Sequence, residues 1–241
     1  MKVAVVYSGL PRTTTGRPLR KFYEHSKKVF DGADFYLGTW RGQEHVMQRI
    51  FPDVPDVYYI DEPKVDYHPF IDIDPLLVPT TRVMKAKRNA TNNHVFRETS
   101  SHQTKQIIGH CGMLDVIPKE YDVYVRLRYD TVVYDGDYEP FLRAAADGTT
   151  IGWGTQYIGN FENLSEFETG GKNHKGFLLD QMIMHSPDID TNRCYKLHQE
   201  KKLISAEYGW WQVFGQGRKH RCMNGWANPD RSVPHNYLDK I

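Results

Sequence analysis

The sequence is poor in cysteine. Its 241 residues contain three, Cys111, Cys194 and Cys222, odd in number and widely spaced. No CxxC pair and no Cys/His zinc spacing occurs, so neither a disulfide framework nor a structural zinc site is supported. An excess of charge is also lacking, with 31 Lys and Arg against 30 Asp and Glu and a net charge of +1. Wrapping nucleic acid through bulk charge needs a clustered basic excess, so no nucleic-acid partner is expected. No apolar run approaches the roughly 20 residues that span a bilayer, and no charged leader and apolar core precede the first strand. Internal repeats and low-complexity tracts are absent. These features imply a reducing, cytosolic compartment, in which the sequons at Asn89 and Asn163 are idle.

Aromatic residues are plentiful: 15 Tyr, 11 Phe and 5 Trp. Such side chains dominate buried area, and the length suits one large domain, residues 1–241. Flat sugar faces also stack on Trp and Tyr, so core filling and sugar recognition both remain open for them.

Val3–Tyr7 is a continuous apolar run ended by Ser-Gly, which predicts a strand buried on both faces. Arg17–Phe30 reads as a helix with Leu19, Phe22, Tyr23 and Val29 on its apolar stripe, stopped by Asp31-Gly32. Ala33–Trp40 and Val57–Ile60 read as further strands, with a short helix over Gln43–Phe51 between them. This alternation predicts an α/β fold with a mainly parallel central sheet flanked by helices. Residues 61–98 have no clear period and suggest an insertion or lid. Ser100–Ile117 is expected to be a helix capped by Ser100 or Ser101, with Ile107, Ile108, Cys111, Leu114 and Val116 inward. In Tyr121–Tyr134, Val123, Val125, Leu127 and Tyr129 alternate with Tyr124, Arg126, Arg128 and Asp130, a strand with one polar face. Tyr138–Ala146 reads as helical, Thr150–Trp153 as extended and Gly154–Lys175 as a surface loop. Phe177–His185 reads as a strand or strand-to-helix passage. Asp190–Lys202 and Ser205–Phe214 are expected helices, and 215–241 an irregular basic tail.

Two constellations carry chemistry. The loop Ser8-Gly9-Leu10-Pro11-Arg12 lies beyond the first strand, where open α/β sheets place ligands. Gly9 allows close backbone approach and Arg12 suits a phosphate, although a plain strand-to-helix turn fits the same residues. It has neither the GxGxxG nor the GxxxxGK[ST] spacing. In Arg126-Leu127-Arg128-Tyr129-Asp130, two cations and a carboxylate at a strand end are costly to bury unless paired or ligand-bound. Asp130 suits a hard divalent cation, and the arginines suit either holding that Asp in place or contacting phosphate oxygens. A solvated Arg–Asp pair is the plainer reading.

The strand Tyr121-Asp122 to Asp130, the Gln103-bearing helix and the Ser8-Gly9-Leu10-Pro11-Arg12 loop together resemble microbial and large-virus glycosyltransferases with a GT-A-like fold. Asp34–Trp40 resembles the second strand of that group, Leu179-Asp180-Gln181 its Asp-Gln segment, and Ala206-Glu207-Tyr208 the acidic position in its C-terminal helix. The resemblance runs from residue 3 to about 214 and implies transfer of a sugar from a nucleotide-sugar donor to a glycan, lipid-linked or other hydroxyl acceptor. It implies action in the cytoplasm of a microbial or virus-infected cell, in surface-polysaccharide synthesis and near the membrane surface. Asp130 takes the place of the last Asp of the DxD motif, with Mn²⁺ or Mg²⁺ as cofactor. Arg128 replaces the first acidic position, a departure that loosens the case for a metal. Asp180, then Glu207, are the candidate catalytic carboxylates, with an N-cap as the plainer role for Asp180. Trp210 is a candidate sugar platform or core residue, and His220 or His235 a candidate late metal ligand. Ser8, Gly9, Arg12, Gln103, Arg126 and Arg128 complete the expected nucleotide-sugar site.

Two other functions fit less well. Leu10–Thr15 faintly resembles the phosphosulfate loop of sulfotransferases, but Thr14 stands where that loop needs Gly. A catalytically silent sugar-binding protein of the same fold is the remaining alternative.

Overall fold

The computed structural model describes residues 1–11, 18–67, 69, 94–154, 178, 180–204, 209–224 and 227–229. Seven strands form one sheet in the order β3-β2-β1-β4-β7-β6-β8. They are β1 (Val3–Ser8), β2 (Asp34–Trp40), β3 (Val57–Ile60), β4 (Val123–Leu127), β6 (Thr150–Gly154), β7 (Met182–His185) and β8 (His220–Asn224). β7 runs antiparallel to both its neighbours, and the other paired strands are parallel. The expected mainly parallel sheet is therefore present, with one reversed strand. β5 (Thr131–Val133) and β9 (Ala227–Pro229) form a separate antiparallel pair.

Two apolar layers sandwich the sheet. Val5, Tyr7, Leu37, Val123 and Val125 point to one side, where α1 (Leu19–Val29), α2 (Glu44–Ile50) and α4 (Glu139–Ala146) supply Phe22, Met47 and Phe141. Ala4, Val6, Tyr36 and Tyr124 point to the other. There α3 (His94–Val116) and α5 (Thr191–Gln199) supply Ile107, Met113 and Cys194. Alternate residues of one strand thus serve opposite cores, which is why β1 reads as an unbroken apolar run.

α3 approaches β2 closely because a glycine on each element makes room for a large side chain of the other. A methyl group on Gly109 would lie 2.2 Å from the Trp40 ring, and one on Gly38 would lie 2.1 Å from Met113 Sδ. The helix begins at His94, so Ser100 and Ser101 lie inside it rather than capping it. Its inward face includes Ile107, Cys111 and Leu114, but Val116 is half exposed. Cys111 and Cys194 are free thiols.

The polar face expected on β4 is not solvent-facing. Every residue from Val123 to Leu127 is buried, because α3 and Trp210 cover the side that carries Tyr124 and Arg126. Past Phe214 the chain is not wholly irregular, since it contributes β8 and β9. Trp211–Gly215 forms a short π-helical turn within the expected last helix. Residues 68, 70–93, 155–177 and 230–241 lie outside the described residues, and with them most of the expected lid, the expected surface loop and His235.

Candidate active site

β2 and β4 flank β1, so the chain winds outward in opposite directions on its two sides. In open α/β sheets such a switch point opens a crevice at the carboxyl ends of the strands, and ligands occupy it. Ser8 and Gly9 end β1 there, and Arg128 to Asp130 follow β4. Gly9 holds φ at +116°, a conformation that L side chains rarely adopt, so the turn itself requires glycine. Its N–H donates to the Gly38 carbonyl at 3.3 Å, tying the loop to β2.

The described residues leave a narrow cleft at this point, lined by Ser8, Gly9, Leu10, Gln106, Arg128, Tyr129 and Asp130, with room for about one water, 10 Å³. A larger cavity of about 470 Å³ opens at the other end of the sheet, between Met1, Asp122, Arg143 and Asp147. It is wide open to solvent and sits at the amino ends of β1 and β4, so topology and chemistry favour the smaller cleft.

Arg128 organises the mouth of the cleft. Its Nε and Nη2 donate to the two carboxylate oxygens of Asp130 at 2.8 and 2.7 Å. Its Nη1 lies 3.9 Å from Asp180 Oδ2. Asp180 reaches this rim because β7 is reversed: the residues before β7 lie beside those after β4. The segment following Asp180 is a strand, so the N-cap role does not apply. One guanidinium thus sits between two carboxylates, all three mostly buried, in a geometry that suits bidentate exchange with phosphate oxygens.

Arg126 has a different place from the one expected. It is fully buried, which excludes direct phosphate contact. Its guanidinium lies 4.4 Å from the Trp210 ring centroid and donates to the Asp180 main-chain carbonyl and to Gln106 Oε1. Burial pushes its pKa down to about 9, opposed first by Asp180, while the ring face and these acceptors stabilise the cation. Arg126 is a strut under the site that holds the Asp180 backbone. Trp210, open between a sugar platform and a core residue, is a core residue, fully buried against Arg126, His110 and Phe214.

His220 does not join Asp130. It pairs with Thr150 at the start of β6, level with the last residue of the reversed β7, whereas Asp130 lies beyond the end of β4, at the opposite end of the sheet. Its ring packs on Trp211 instead. Among the described residues no group of three His, Cys, Asp or Glu could hold a metal ion, and Arg128 already covers both oxygens of Asp130. The described residues therefore do not by themselves fit Mn²⁺ or Mg²⁺.

Ser8, Gly9, Arg128, Asp130 and Asp180 are brought together as expected. Gln103 sits on α3 but does not line the cleft; Gln106, one turn later, does. Arg12 and Glu207 lie outside the described residues. Sequence reading missed Gln106 and His110. They lie four residues apart on α3, Gln106 lining the cleft and His110 buried behind Ser8, and their spacing beside Ile107 and Cys111 was the available signal.

No family model matches the sequence, and no curated protein matches it. Solved structures of similar shape include core-mannan synthase A from Aspergillus fumigatus in a Mn/GDP form, with TM-score 0.49 and 11% identity, covering 92% of this chain and 73% of that one. The galactosyltransferase LgtC, in complex with donor and acceptor sugar analogues, has TM-score 0.46 and 10% identity, covering 93% and 73%. 4-Diphosphocytidyl-2C-methyl-D-erythritol synthase from Anaerococcus prevotii has TM-score 0.48 and 9% identity, covering 93% and 87%. Glycosyltransferases are thus among the structural neighbours of this chain.

Proposed function

We propose that this chain is a glycosyltransferase that moves a sugar from a nucleotide-sugar donor to a hydroxyl of a glycan or lipid-linked acceptor. The supporting observation is the Arg128–Asp130–Asp180 cluster at the switch-point crevice, beside the Ser8-Gly9 turn. Arg128 is the one member of that cluster that can meet a diphosphate, and it can exchange its carboxylate partners for phosphate oxygens. Charge then accumulates on the departing nucleoside diphosphate next to a fixed cation. Asp180 is the general base in this reading. In an inverting transfer its carboxylate takes the proton of the acceptor hydroxyl as that oxygen bonds to the anomeric carbon and the bond to the diphosphate breaks. Arg126 and Gln106 position Asp180 and the cleft wall, and Arg12 and Glu207 remain candidate contributors. A soluble enzyme working at the cytoplasmic membrane surface fits this reading. Among the described residues no helix is long and apolar enough to cross a membrane.

Thermal-shift titration tests the proposal. At 100 times Kd a nucleoside diphosphate stabilises by about 2.7 kcal/mol, a rise of about 5–10 °C in Tm for a chain of this size. Asp180→Asn is expected to keep that shift while slowing sugar transfer or donor hydrolysis by about 10²–10⁴-fold. Repeating the titration with EDTA and with Mn²⁺ or Mg²⁺ measures any metal contribution. A shift with adenosine 3′,5′-bisphosphate alone would defeat the proposal in favour of sulfate transfer. Binding without transfer would favour a silent sugar-binding protein.

A further inference from the structure

The Ser8 hydroxyl ends a buried hydrogen-bond chain whose direction is fixed at its far end. His185 Nδ1 lies 2.8 Å from the Ser186 carbonyl oxygen. A carbonyl only accepts, so this nitrogen carries the hydrogen. Burial keeps the His185 ring neutral, with its pKa pushed down to about 4, so its Nε2 is an acceptor. His110 Nε2, 3.2 Å away, is therefore the donor. Burial, followed by the neighbouring His185 and Arg126, holds His110 well below the usual histidine range. His110 is thus neutral too, with a bare lone pair on Nδ1. Ser8 Oγ lies 3.4 Å from that nitrogen, and among the described residues its O–H is the donor placed to satisfy it. The single hydroxyl hydrogen of Ser8 is committed inward, and its oxygen faces the cleft as an acceptor.

Gln106 is oriented by the same logic. Arg126 has no acceptor, so Gln106 must turn Oε1 toward Arg126 Nη2, 3.2 Å away, which leaves its amide Nε2 to donate. Both side chains line the cleft.

We infer that Ser8 and Gln106 form a recognition pair of fixed polarity for the nucleoside half of the ligand. Ser8 accepts from a ligand N–H or O–H and Gln106 donates, while His110 and His185 are positioning residues that set the polarity. The inference rests on the nucleotide reading above. A rotating serine would accept or donate as the ligand required. This one cannot, so a ligand stripped of its donor leaves a desolvated oxygen unpaired.

Two ligand groups can supply that donor: the imide N–H of a base or a ribose hydroxyl. Titration calorimetry separates them. UDP and GDP are compared with forms methylated at uracil N3 or guanine N1, and with the 2′- and 3′-deoxy forms. In the wild-type chain one class is expected to bind about tenfold more weakly than its parent. A loss on methylation puts Ser8 at the base, and a loss on deoxygenation puts it at the ribose. That difference is expected to shrink below about threefold in Ser8→Ala, and also in His110→Leu/His185→Leu, which removes both rings together so that neither is orphaned. Nitrogen NMR of the wild-type imidazoles is expected to show Nε2–H on His110 and Nδ1–H on His185, and the opposite tautomers would overturn the inference. Equal binding of all analogues to the wild type, or an undiminished difference in Ser8→Ala, would overturn it while leaving the nucleotide reading intact. Failure to bind any nucleotide would overturn both.

Discussion

Acidification is expected to destabilise the protein through two histidines in its core. His110 on α3 and His185 on β7 are fully buried, surrounded by Tyr124, Trp210 and Phe214. Arg126 and Arg218 further disfavour a charge on them, while the hydrogen bond to the Ser186 carbonyl and then Asp188 favour one on His185 without offsetting its burial. In the unfolded chain each ring protonates near pH 6.5. Between about pH 6.5 and 4 the unfolded chain therefore binds protons that the folded chain refuses. Stability is full above 6.5 and falls as pH drops through this window. A depression from 6.5 to about 4 costs on the order of 3 kcal/mol for His185 alone once both states are protonated, and His110 adds to it. That is a large share of the roughly 5–15 kcal/mol that holds a typical domain together. The Asp188 carboxyl, held at about 2 mainly by Arg218, adds its own loss only below its ordinary range, outside this window. Urea unfolding of the wild type and of His110→Leu/His185→Leu at pH 7 and pH 4.5 reads the effect. The double variant is expected to lose at least about 2 kcal/mol less between the two pH values. His25 and His198, whose pKa values burial also lowers, are present in both proteins and cancel. Parallel pH dependences would refute the assignment of neutral rings.

Other substitutions probe separate parts of the argument. Arg128→Ala is expected to weaken nucleoside diphosphate binding by about 10–100-fold, since charge-assisted hydrogen bonds contribute about 1.5–3 kcal/mol; calorimetry showing unchanged affinity would remove Arg128 from the site. Gly109→Ala forces a methyl group against the Trp40 ring and is expected to cost about 1–3 kcal/mol, read as a lowered Tm. An unaltered Tm would mean that α3 does not press on β2 as described. Trp210→Ala is expected to cost about 3–5 kcal/mol in unfolding free energy, as large core truncations do; a fully stable variant that merely loses sugar affinity would restore the platform role.

The fold was legible where one periodicity dominated. The apolar run Val3–Tyr7 and the alternating segments around it predicted β1 to β3 within a residue or so, because burial on both faces leaves a continuous hydrophobic signal. Arg126 and Trp210 each kept two readings in the sequence, ligand contact or structural support, and only tertiary packing reveals that they stack on each other. His220 failed because proximity to a motif in sequence says nothing about which end of a sheet a later strand joins. Gln106 and His110 were passed over because polar residues within an apolar helical stripe read as interruptions, whereas here Gln106 lines the cleft and His110 backs Ser8.

The reversed direction of β7 has a bearing on how such a protein can diversify. β6 runs toward the crevice and ends at Gly154, and β7 starts from the same rim at Met182. Both ends of the intervening chain therefore sit at the crevice edge. Its two anchor points are fixed by the β6–β7 ladder, in which Trp153 faces Met182. A segment attached in this way can be exchanged, lengthened or rewritten while the strands that hold Ser8, Arg128 and Asp180 keep their register. Loop length itself adds little free-energy cost, about 0.6 kcal/mol per doubling. The sheet serves as a chassis, and Gly154 and Met182 mark the joints at which a different segment can be grafted beside an unchanged cleft.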